Sequence, residues 1–454
     1  MPDFIEAREE LEEQVLELLE EKQYAALRTL LNEMNPADLA LMLADLPEQR
    51  LPLLYRLLGK ELAVETFVEM DGDMQEVLIH SFSDTELEEV LDELYVDDAV
   101  DLIEEMPATV VRRILQHTDP EIRKSINTIL HYPKDSAGSI MTIEYVSLIA
   151  DMTVEDAFTR IRRTGVDKET IYTCYVTTAD RRLIGLVTAK DLLLADSDTL
   201  IGDIMEENVI FVQTVDDKEE VAQKIGHYGF LAIPVVDGEQ RLVGIVTVDD
   251  AIDVIEEETT EDIEKMTAIL PSDKTYMRTG VFETWKKRIP WLLLLMLSAT
   301  FTGMIIAACE SALQAYVVLT AYIPMLMGTG GNAGGQASVT IIRGLSTNEI
   351  ELRDIFLVMW KELRVSLLCG ITLSVVNFAK LMWFDNVGLL VAAVVSITLL
   401  ITVVVAKVAG CALPILAKAI RLDPAVMASP FITTVVDVMS LLVYFWVAGL
   451  LLPV

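Results

Sequence analysis

Residues 425–454 read AVMASPFITTVVDVMSLLVYFWVAGLLLPV, an apolar run in which Asp437 carries the only charge. A run of this length can cross a bilayer as a helix. An acid at the bilayer centre costs about 2.5–3.5 kcal/mol on insertion scales, so such residues face a partner, a water-filled cavity or an ion path. Two interpretations of Asp437 follow: a structural ion pair with Lys407 or Lys380, or a cation site.

Apolar length predicts five membrane spans. They lie at about 289–309, 312–342, 355–382, 387–411 and 425–453. Clusters of Lys and Arg precede the first span, separate the second from the third, and lie near the connection between the fourth and fifth. The positive-inside rule puts all three clusters in the cytoplasm and the C-terminus outside. We therefore expect a multi-pass protein of the cell (inner) membrane.

The second predicted span contains PMLMGTGGNAGGQAS at 324–338, a glycine-rich stretch that disfavours a helix. Gly330 with Gly334, and Gly331 with Gly335, have the GxxxG spacing that lets membrane helices approach closely. One interpretation of the glycines is therefore helix packing.

The other interpretation of this stretch is functional, and the two are compatible. A broken helix would expose backbone carbonyls, such as that of Gly328, beside the side-chain amide of Asn332. Such oxygens suit a hydrated cation. Pro430, seven residues before Asp437, is expected to free further carbonyls in the fifth span.

Charge is segregated along the chain. Residues 1–283 hold 24 Lys and Arg against 63 Asp and Glu, a net charge of −39, whereas residues 284–454 hold 11 against 8, a net charge of +3. The acidic part would repel phosphate backbones, so we expect no nucleic-acid partner, and cations are the simplest partners. The first residues, MPDFIEAREELEEQ, are acidic and amphipathic, unlike a signal peptide, and predict a cytoplasmic N-terminal part.

Short amphipathic segments with weak self-similarity fill the first 132 residues. Examples are LALMLADLP at 39–47, LEEVLDEL at 87–94 and AVDLIEEMP at 99–107. Each segment is too small to bury its own apolar face, so neighbours must stack. Residues 1–132 are thus predicted to form an acidic α-superhelical domain.

A stronger repeat follows. RRLIGLVTAKDLL at 181–193 aligns without gaps on QRLVGIVTVDDAI at 240–252, and each copy follows a helical segment and an apolar strand. Two copies of one β-α-β-β-α unit are predicted within residues 133–258. The pattern resembles the cystathionine-β-synthase (CBS) pair.

That resemblance implies a regulatory module that senses ions, ATP or another adenylate. The matching positions are Thr188 and Asp191 in the first copy and Thr247 and Asp250 in the second, where a hydroxyl and a carboxylate meet phosphate and ribose. The alternative is that each pair caps a helix, because Thr and Asp at a strand-to-helix junction commonly do so.

Acidic residues follow the second copy in IDVIEEETTEDIEKMTAIL at 252–270, and we expect a linking (plug) helix over 259–284. On a helical period these acids form two adjacent stripes. The first stripe is Asp250, Asp253, Glu257 and Glu261, and the second is Glu258 and Asp262. Such stripes repel other acids unless cations bind between them.

The N-terminal domain offers a facing acidic cluster. Its members are Asp97, Asp98, Asp101, Glu104 and Glu105. Oxygen ligands without His or Cys favour hard cations such as Mg²⁺ or Ca²⁺ over zinc or copper.

The whole chain resembles the MgtE family of magnesium channels or transporters. The specific elements are PMLMGTGGNAGGQAS, VTVDDAIDVIEEETTEDI at 246–263 and DPAVMASPFITTVVDV at 423–438. The resemblance implies a multidomain fold: an α-superhelical N-terminal domain, an α/β CBS pair, the linking helix, and an all-α transmembrane domain of five helices over residues 285–454.

The same resemblance implies a function. It predicts a homodimer in the lipid bilayer whose pore admits Mg²⁺ to the cytoplasm down its electrochemical gradient, with Co²⁺ or Mn²⁺ as alternative cargo. Asp437 of both subunits would form an ion site near the cytoplasmic mouth, bordered by Asn332 and the Gly328 carbonyl. Cytosolic Mg²⁺ would hold the pore shut. The implied ligands are Asp97, Asp98, Asp101, Asp250, Asp253, Glu258, Glu261 and Asp262.

Two other classes of protein fit less well. A membrane enzyme would need a nucleophile and a base or a metal triad near the bilayer, yet no His follows residue 227. We therefore expect no enzyme activity. A signalling scaffold with a passive anchor would explain the soluble part but not Asp437 or the glycine-rich span.

Overall fold

The computed structural model describes residues 2–271, 276, 279–427 and 429–452. The chain divides into two compact units, residues 1–255 and 256–454.

Short helices build the N-terminal part of the first unit. They are α1 (Pro2–Glu20), α2 (Tyr24–Leu31), α3 (Pro36–Asp45), α4 (Leu51–Tyr55), α5 (Lys60–Val68), α6 (Gly72–Ser81), α7 (Asp84–Leu91), α8 (Val96–Glu105), α9 (Ala108–His117) and α10 (Pro120–Ile129). N-terminal caps begin several of these helices: Asn35 accepts from the Ala37 amide at the start of α3, and Ser83 forms a capping box with Glu86 at the start of α7. Apolar side chains of successive helices form one continuous core, as the stacked-helix prediction requires.

Two copies of one α/β unit follow, as the repeat predicts. The first contains β1 (Ser147–Leu148), α11 (Val154–Thr164), β2 (Thr173–Thr177), β3 (Leu183–Thr188) and α12 (Ala189–Leu194). After a short helix α13 (Ile201–Ile204), the second contains β4 (Val212–Gln213), α14 (Lys218–Tyr228), β5 (Ala232–Val236), β6 (Leu242–Thr247) and α15 (Val248–Met266). In each sheet the first strand is parallel and the third antiparallel to the middle strand.

The two copies are joined by backbone pairing and by a shared apolar layer. Thr142, before the first copy, pairs with Ile245 of the second, and Leu186 of the first pairs with Glu206 at the start of the second. The buried Tyr175 of the first copy packs with Leu242 of the second. The pair is therefore one module rather than two independent domains.

The linking helix differs in extent from the prediction. Helix α15 begins directly after β6 and ends at Met266, the described residues of 267–280 are not helical, and a new helix begins at Val281. A single helix over 259–284 is therefore wrong, because the part before Thr267 belongs to α15 and the part after Gly280 to the first membrane span.

The second unit is all-helical after α15. Its helices are α16 (Val281–Ala308), α17 (Glu310–Ala315), α18 (Ile323–Ser346), α19 (Ile355–Trp383), α20 (Leu389–Ala419) and α21 (Ser429–Leu451). Four described segments are long and apolar enough to cross a membrane: Val281–Ala308, Leu352–Trp383, Leu389–Ala419 and Pro424–Leu451. Helix α18 falls in the second predicted span, and at about 1.5 Å per residue its 24 residues extend about 36 Å, enough for the bilayer core.

Helix α20 is the centre of this bundle, and α18, α19 and α21 all pack against it. Its Val395, Leu399, Val403 and Ala406 are fully or almost fully buried. Helix α16 packs on α21 and has no buried residue. The predicted five-helix transmembrane fold is confirmed.

Glycines set the spacing of α18 from its neighbours. A Cβ on Gly330 would lie 2.7 Å from the Thr402 side chain of α20 and 2.9 Å from that of Val436 on α21. A Cβ on Gly334 would lie 2.8 Å from Ile432. All three distances are too short for any larger residue, so Gly330 and Gly334 let three helices meet, as the packing interpretation predicted.

Candidate cation sites

Asp437 lies on α21, eight residues after the first residue of the helix, and is partly buried. Its proposed partners are both engaged elsewhere: the Lys407 ammonium lies 3.9 Å from Glu362, and the Lys380 ammonium lies 3.1 Å from Asp385. Among the described residues no side chain forms a hydrogen bond or ion pair with Asp437. The structural ion-pair interpretation is therefore wrong, and the cation interpretation stays a prediction.

The glycine-rich stretch does not break α18. The helix is continuous from Ile323 to Ser346, so the Gly328 carbonyl lies within the helical hydrogen-bond ladder. The expected break is wrong because the tight contacts of Gly330 and Gly334 compensate the weak helix propensity of glycine.

Pro430 does not break α21 either. It is the second residue of the helix, a position where proline is tolerated because the first amides have no helical partner. Its carbonyl accepts hydrogen bonds from the hydroxyls of Thr433 and Thr434, at 2.9 Å and 3.1 Å.

One face of α18 is polar and exposed. Asn332, Gln336 and Thr340 follow one another at intervals of four residues, and all three are exposed, as is Gly328 one turn earlier. Lipid does not satisfy such groups, so this face must line water or protein. We call Gly328, Asn332, Gln336 and Thr340 the polar face of α18; Gln336 and Thr340 were not singled out from the sequence.

Asn332 and Asp437 lie on neighbouring helices but in different surroundings. Asn332 and Gln336 line a groove of about 430 Å³ with Lys407 of α20, and Asp437 is not among the lining residues. Gly331, the residue before Asn332, faces Thr433, one turn before Asp437. Helices α18 and α21 therefore bring Asn332 and Asp437 to the same region of the bundle, although the two residues do not line the same groove.

Carboxylates converge in the first unit. Helix α8 supplies Asp97, Asp98 and Asp101, and the junction of β6 with α15 supplies Asp249 and Asp250, as electrostatic coupling among them shows. Glu144 and Glu169, from loops beside the first sheet, join them. We call these residues the acidic cluster: Asp97, Asp98, Asp101, Glu144, Glu169, Asp249 and Asp250.

Burial and mutual repulsion disfavour charge in the acidic cluster. Burial raises the pKa of Asp97 well above its usual range and raises those of Asp98 and Asp101 to about 7. For all three carboxyl groups, repulsion by Asp250 is the next largest cause. Burial and Asp249 raise the pKa of Glu169 to about 7. Asp97 is 7% exposed, and its Oδ1 accepts no hydrogen bond from the described residues. This environment favours protonated carboxyl groups, and a nearby cation would offset the repulsion among ionised ones.

These shifts predict that stability depends on pH. The pKa values of Asp98 and Asp101 are about 7 in the folded protein and near 4 in the unfolded chain. Between about pH 4 and 7 the folded cluster therefore binds more protons than the unfolded chain does. The free energy of unfolding accordingly falls as the pH rises through about 7. In a chelator, we expect the unfolding temperature of the protein to fall from pH 5.5 to pH 8, by the equivalent of a few kcal/mol in total. At pH 8, millimolar Mg²⁺ should raise the unfolding temperature back toward its value at pH 5.5. An unfolding temperature independent of both pH and Mg²⁺ would contradict the account.

The predicted stripe on α15 is divided between two environments. Burial raises the pKa of Asp250 to about 6, with Asp249 and Asp253 as smaller causes, so Asp253 adjoins the acidic cluster. Glu261 and Asp262 instead contact residues of the second unit: Lys265 lies 2.8 Å from Glu261 and 2.7 Å from Asp423, and the Ser346 hydroxyl donates to Asp262 at 3.2 Å. That Glu261 and Asp262 bind Mg²⁺ together with the N-terminal acids stays a prediction.

Glu258 is half-buried on α15. Within the described part of the chain, no three His, Cys, Asp or Glu side chains are arranged as a ready metal site. The assignment of individual metal ligands stays a prediction.

The Thr–Asp pairs of the α/β module do cap helices. Thr188 accepts from the Asp191 amide at 3.2 Å and forms a capping box with it, and the Thr247 hydroxyl donates to Asp250. The capping interpretation is confirmed for the first copy, and a nucleotide contact by the same residues stays a prediction. Tyr172, whose carbonyl accepts from the Ala189 amide, is 65% exposed beside the first cap and was not singled out from the sequence.

Comparison with known proteins identifies the family. The chain is 39% identical over 448 residues to the magnesium transporter MgtE of Thermus thermophilus, an alignment that covers 98% of this chain and 99% of the relative. The chain belongs to the MgtE family. It is also 33% identical to the magnesium transporter MgtE of Bacillus subtilis, over 97% of both chains.

Family profiles match several parts of the chain. The divalent cation transporter profile matches residues 323–447, which include α18 and most of α21; the MgtE intracellular N domain matches 34–135; and CBS domains match 137–198 and 201–257. MgtE is a transporter family, so the expectation that the chain is not an enzyme is confirmed.

Solved structures match about half of the chain. The soluble part of a magnesium transporter has a TM-score of 0.51 and 35% identity, covering 55% of this chain and 99% of that one. The cytosolic domain of the Mg²⁺ channel MgtE in complex with ATP has a TM-score of 0.51 and 37% identity, covering 53% and 98%.

Proposed function

We propose that this protein carries Mg²⁺ into the cytoplasm down its electrochemical gradient, along a path formed by the polar face of α18 and by Asp437. The observation that carries the proposal is Asp437, an acid in a membrane helix to which the described residues offer no cationic partner. Relatives named magnesium transporters support Mg²⁺ as the cargo. Co²⁺ or Mn²⁺ is the alternative cargo.

The path belongs to a homodimer. A single chain leaves Asn332, Gln336 and Thr340 exposed, and a second copy would shield this face from lipid and place two Asp437 carboxylates across the symmetry axis. Mg²⁺ releases its water shell reluctantly, so two carboxylates attract the hydrated ion without trapping it. The segregation of charge supports a cytoplasmic first unit and an external C-terminus.

Cytosolic Mg²⁺ closes the path by binding to the acidic cluster and to α15. A bound cation offsets the repulsion among Asp97, Asp98, Asp101 and Asp250, with Asp253, Glu258, Glu261 and Asp262 as further ligands on α15. An ion that binds the closed arrangement more tightly shifts the population toward it. When cytosolic Mg²⁺ falls, repulsion displaces α15 and the path opens.

The end of α15 transmits this displacement within the second unit. Lys265 lies 2.7 Å from Asp423, in the turn before α21, and Asp262 accepts from Ser346, the last residue of α18. Met266 packs against Ile342 of α18. Movement of α15 therefore acts on the two helices that carry Asn332 and Asp437.

ATP or another adenylate binds at the first copy of the CBS pair. Thr188 and Asp191 lie at an accessible helix start next to the exposed Tyr172 ring, which offers a surface for a base. In the second copy, Thr247 is bonded to Asp250, which faces other carboxylates that would repel phosphate. A relative's cytosolic domain in complex with ATP supports the proposal. No binding at millimolar ATP in a calorimetric titration would contradict it.

Electrical recording from the reconstituted protein tests the proposal. With Mg²⁺ only on the external side we expect an inward Mg²⁺ current, and raising cytosolic Mg²⁺ to about 10 mM should reduce its open probability about tenfold or more, because the ion stabilises the closed state. Replacing Mg²⁺ with Co²⁺ or Mn²⁺ measures selectivity. Absence of divalent current would overturn the transport proposal, and a current indifferent to cytosolic Mg²⁺ would overturn the gating account alone.

A further inference from the structure

A buried charge pair lies beside the proposed path. Glu362 of α19 and Lys407 of α20 have side chains only 13% and 9% exposed, and 3.9 Å separates the Lys407 ammonium from the Glu362 carboxylate. The Glu362 Oε2 atom accepts no hydrogen bond from any described residue. A buried pair held at this distance contributes little to stability, since its attraction barely repays the loss of hydration.

The position of Lys407 suggests what the pair does. Lys407 lines the same groove as Thr329, Asn332 and Gln336, so its ammonium lies on the side of α18 that carries the polar face. An uncompensated ammonium there would repel a divalent cation, and repulsion is strong where little water screens it. The carboxylate of Glu362 offsets that charge.

We propose that Glu362 supports cation transport as a positioning residue, which acts by neutralising the Lys407 ammonium beside the polar face of α18. The inference rests on the proposed path. Neither residue needs to contact Mg²⁺: Glu362 works through Lys407, and the net charge of the pair sets the potential that the ion meets.

Three variants of the full-length protein in proteoliposomes test this, with Mg²⁺ uptake at submillimolar external Mg²⁺ as the readout. Glu362→Gln leaves the ammonium uncompensated and should lower uptake about tenfold. Lys407→Met leaves the carboxylate alone and should raise uptake about twofold or more. The double variant restores neutrality and should return uptake to within about threefold of the wild type.

The direction in which uptake changes in the three variants distinguishes an effect of charge from an effect of packing. A purely structural pair predicts that all three variants lose uptake, and a double variant no better than Glu362→Gln would overturn the proposal. If Glu362→Gln does not fold, the folded Lys407→Met variant decides: higher uptake supports the proposal, and an uptake about tenfold below the wild type overturns it.

The wild type and Asp437→Asn in the same preparation separate this inference from the transport proposal. No Mg²⁺ uptake by the wild type would overturn both. Uptake by the wild type that is lost in Asp437→Asn but unchanged in Glu362→Gln would overturn the role of Glu362 alone.

Discussion

Replacing Asp437 with Asn is expected to lower Mg²⁺ flux by about a hundredfold or more. At about 5 Å and an effective dielectric constant of about 20, a divalent ion gains about 6–7 kcal/mol from one carboxylate, and losing about 3 kcal/mol of this corresponds to a hundredfold. A homodimer loses two such charges. The helix itself should tolerate the change, because the described residues form no ion pair with Asp437. The measurement is Mg²⁺ uptake by proteoliposomes at matched protein density.

Asp385→Asn is the matched control, since it makes the same chemical change in another acid of the membrane unit. Asp385 is paired with Lys380 at 3.1 Å and accepts from the Tyr322 hydroxyl, away from the proposed path. We expect its uptake to stay within about threefold of the wild type, because a half-exposed pair contributes little. If Asp437→Asn keeps the native rate, or if both variants lose uptake equally, the proposed role of Asp437 fails.

Two features of the molecule could be predicted well from the sequence, because each leaves a clear local pattern: a charged residue in a membrane span and an internal repeat. Asp437 could be singled out as the only charge in a long apolar run, and the repeat at 181–193 and 240–252 predicted the succession of strands and helices in both copies. Such signals are local: they depend on residues close together in the chain.

The errors concern tertiary contacts that no local pattern records. Glycine propensity predicted a break in α18, but the contacts of Gly330 and Gly334 with two other helices favour a continuous helix. Lys407 was offered as a partner of Asp437 because nothing in the sequence shows that Glu362 lies beside it.

The acidic cluster also contains contacts that no local sequence pattern predicts. Asp97, Asp98 and Asp101 were predicted because they follow one another on a helix. Glu144 and Glu169 were missed because they come from loops elsewhere in the chain, and only the packed module brings them together. The only signal for them was the overall excess of acid.

Neutralising the acidic cluster should uncouple the path from cytosolic Mg²⁺. In the variant Asp98→Asn with Asp250→Asn, two mutually repelling carboxylates are removed, so the closed arrangement forms without a cation and Mg²⁺ binds it less tightly. We expect the Mg²⁺ concentration that half-closes the path to rise about tenfold or more, and the unfolding temperature in a chelator at pH 8 to rise as well. Current recording against cytosolic Mg²⁺ measures the first quantity and calorimetry the second.

Glu33→Gln with Glu61→Gln removes the same net charge from exposed positions among the N-terminal helices and their turns, and serves as the control. If the effect arises from net charge alone, both double variants will shift Mg²⁺ sensitivity equally, since long-range attraction depends on the sum of charges and is screened within about 8–10 Å. If the change in Mg²⁺ sensitivity arises from the acidic cluster, only the variant Asp98→Asn with Asp250→Asn will shift Mg²⁺ sensitivity. A cluster variant that keeps native Mg²⁺ sensitivity while gaining stability would assign the buried carboxylates to folding rather than to gating, and the sensor would then have to be sought among the acids further along α15.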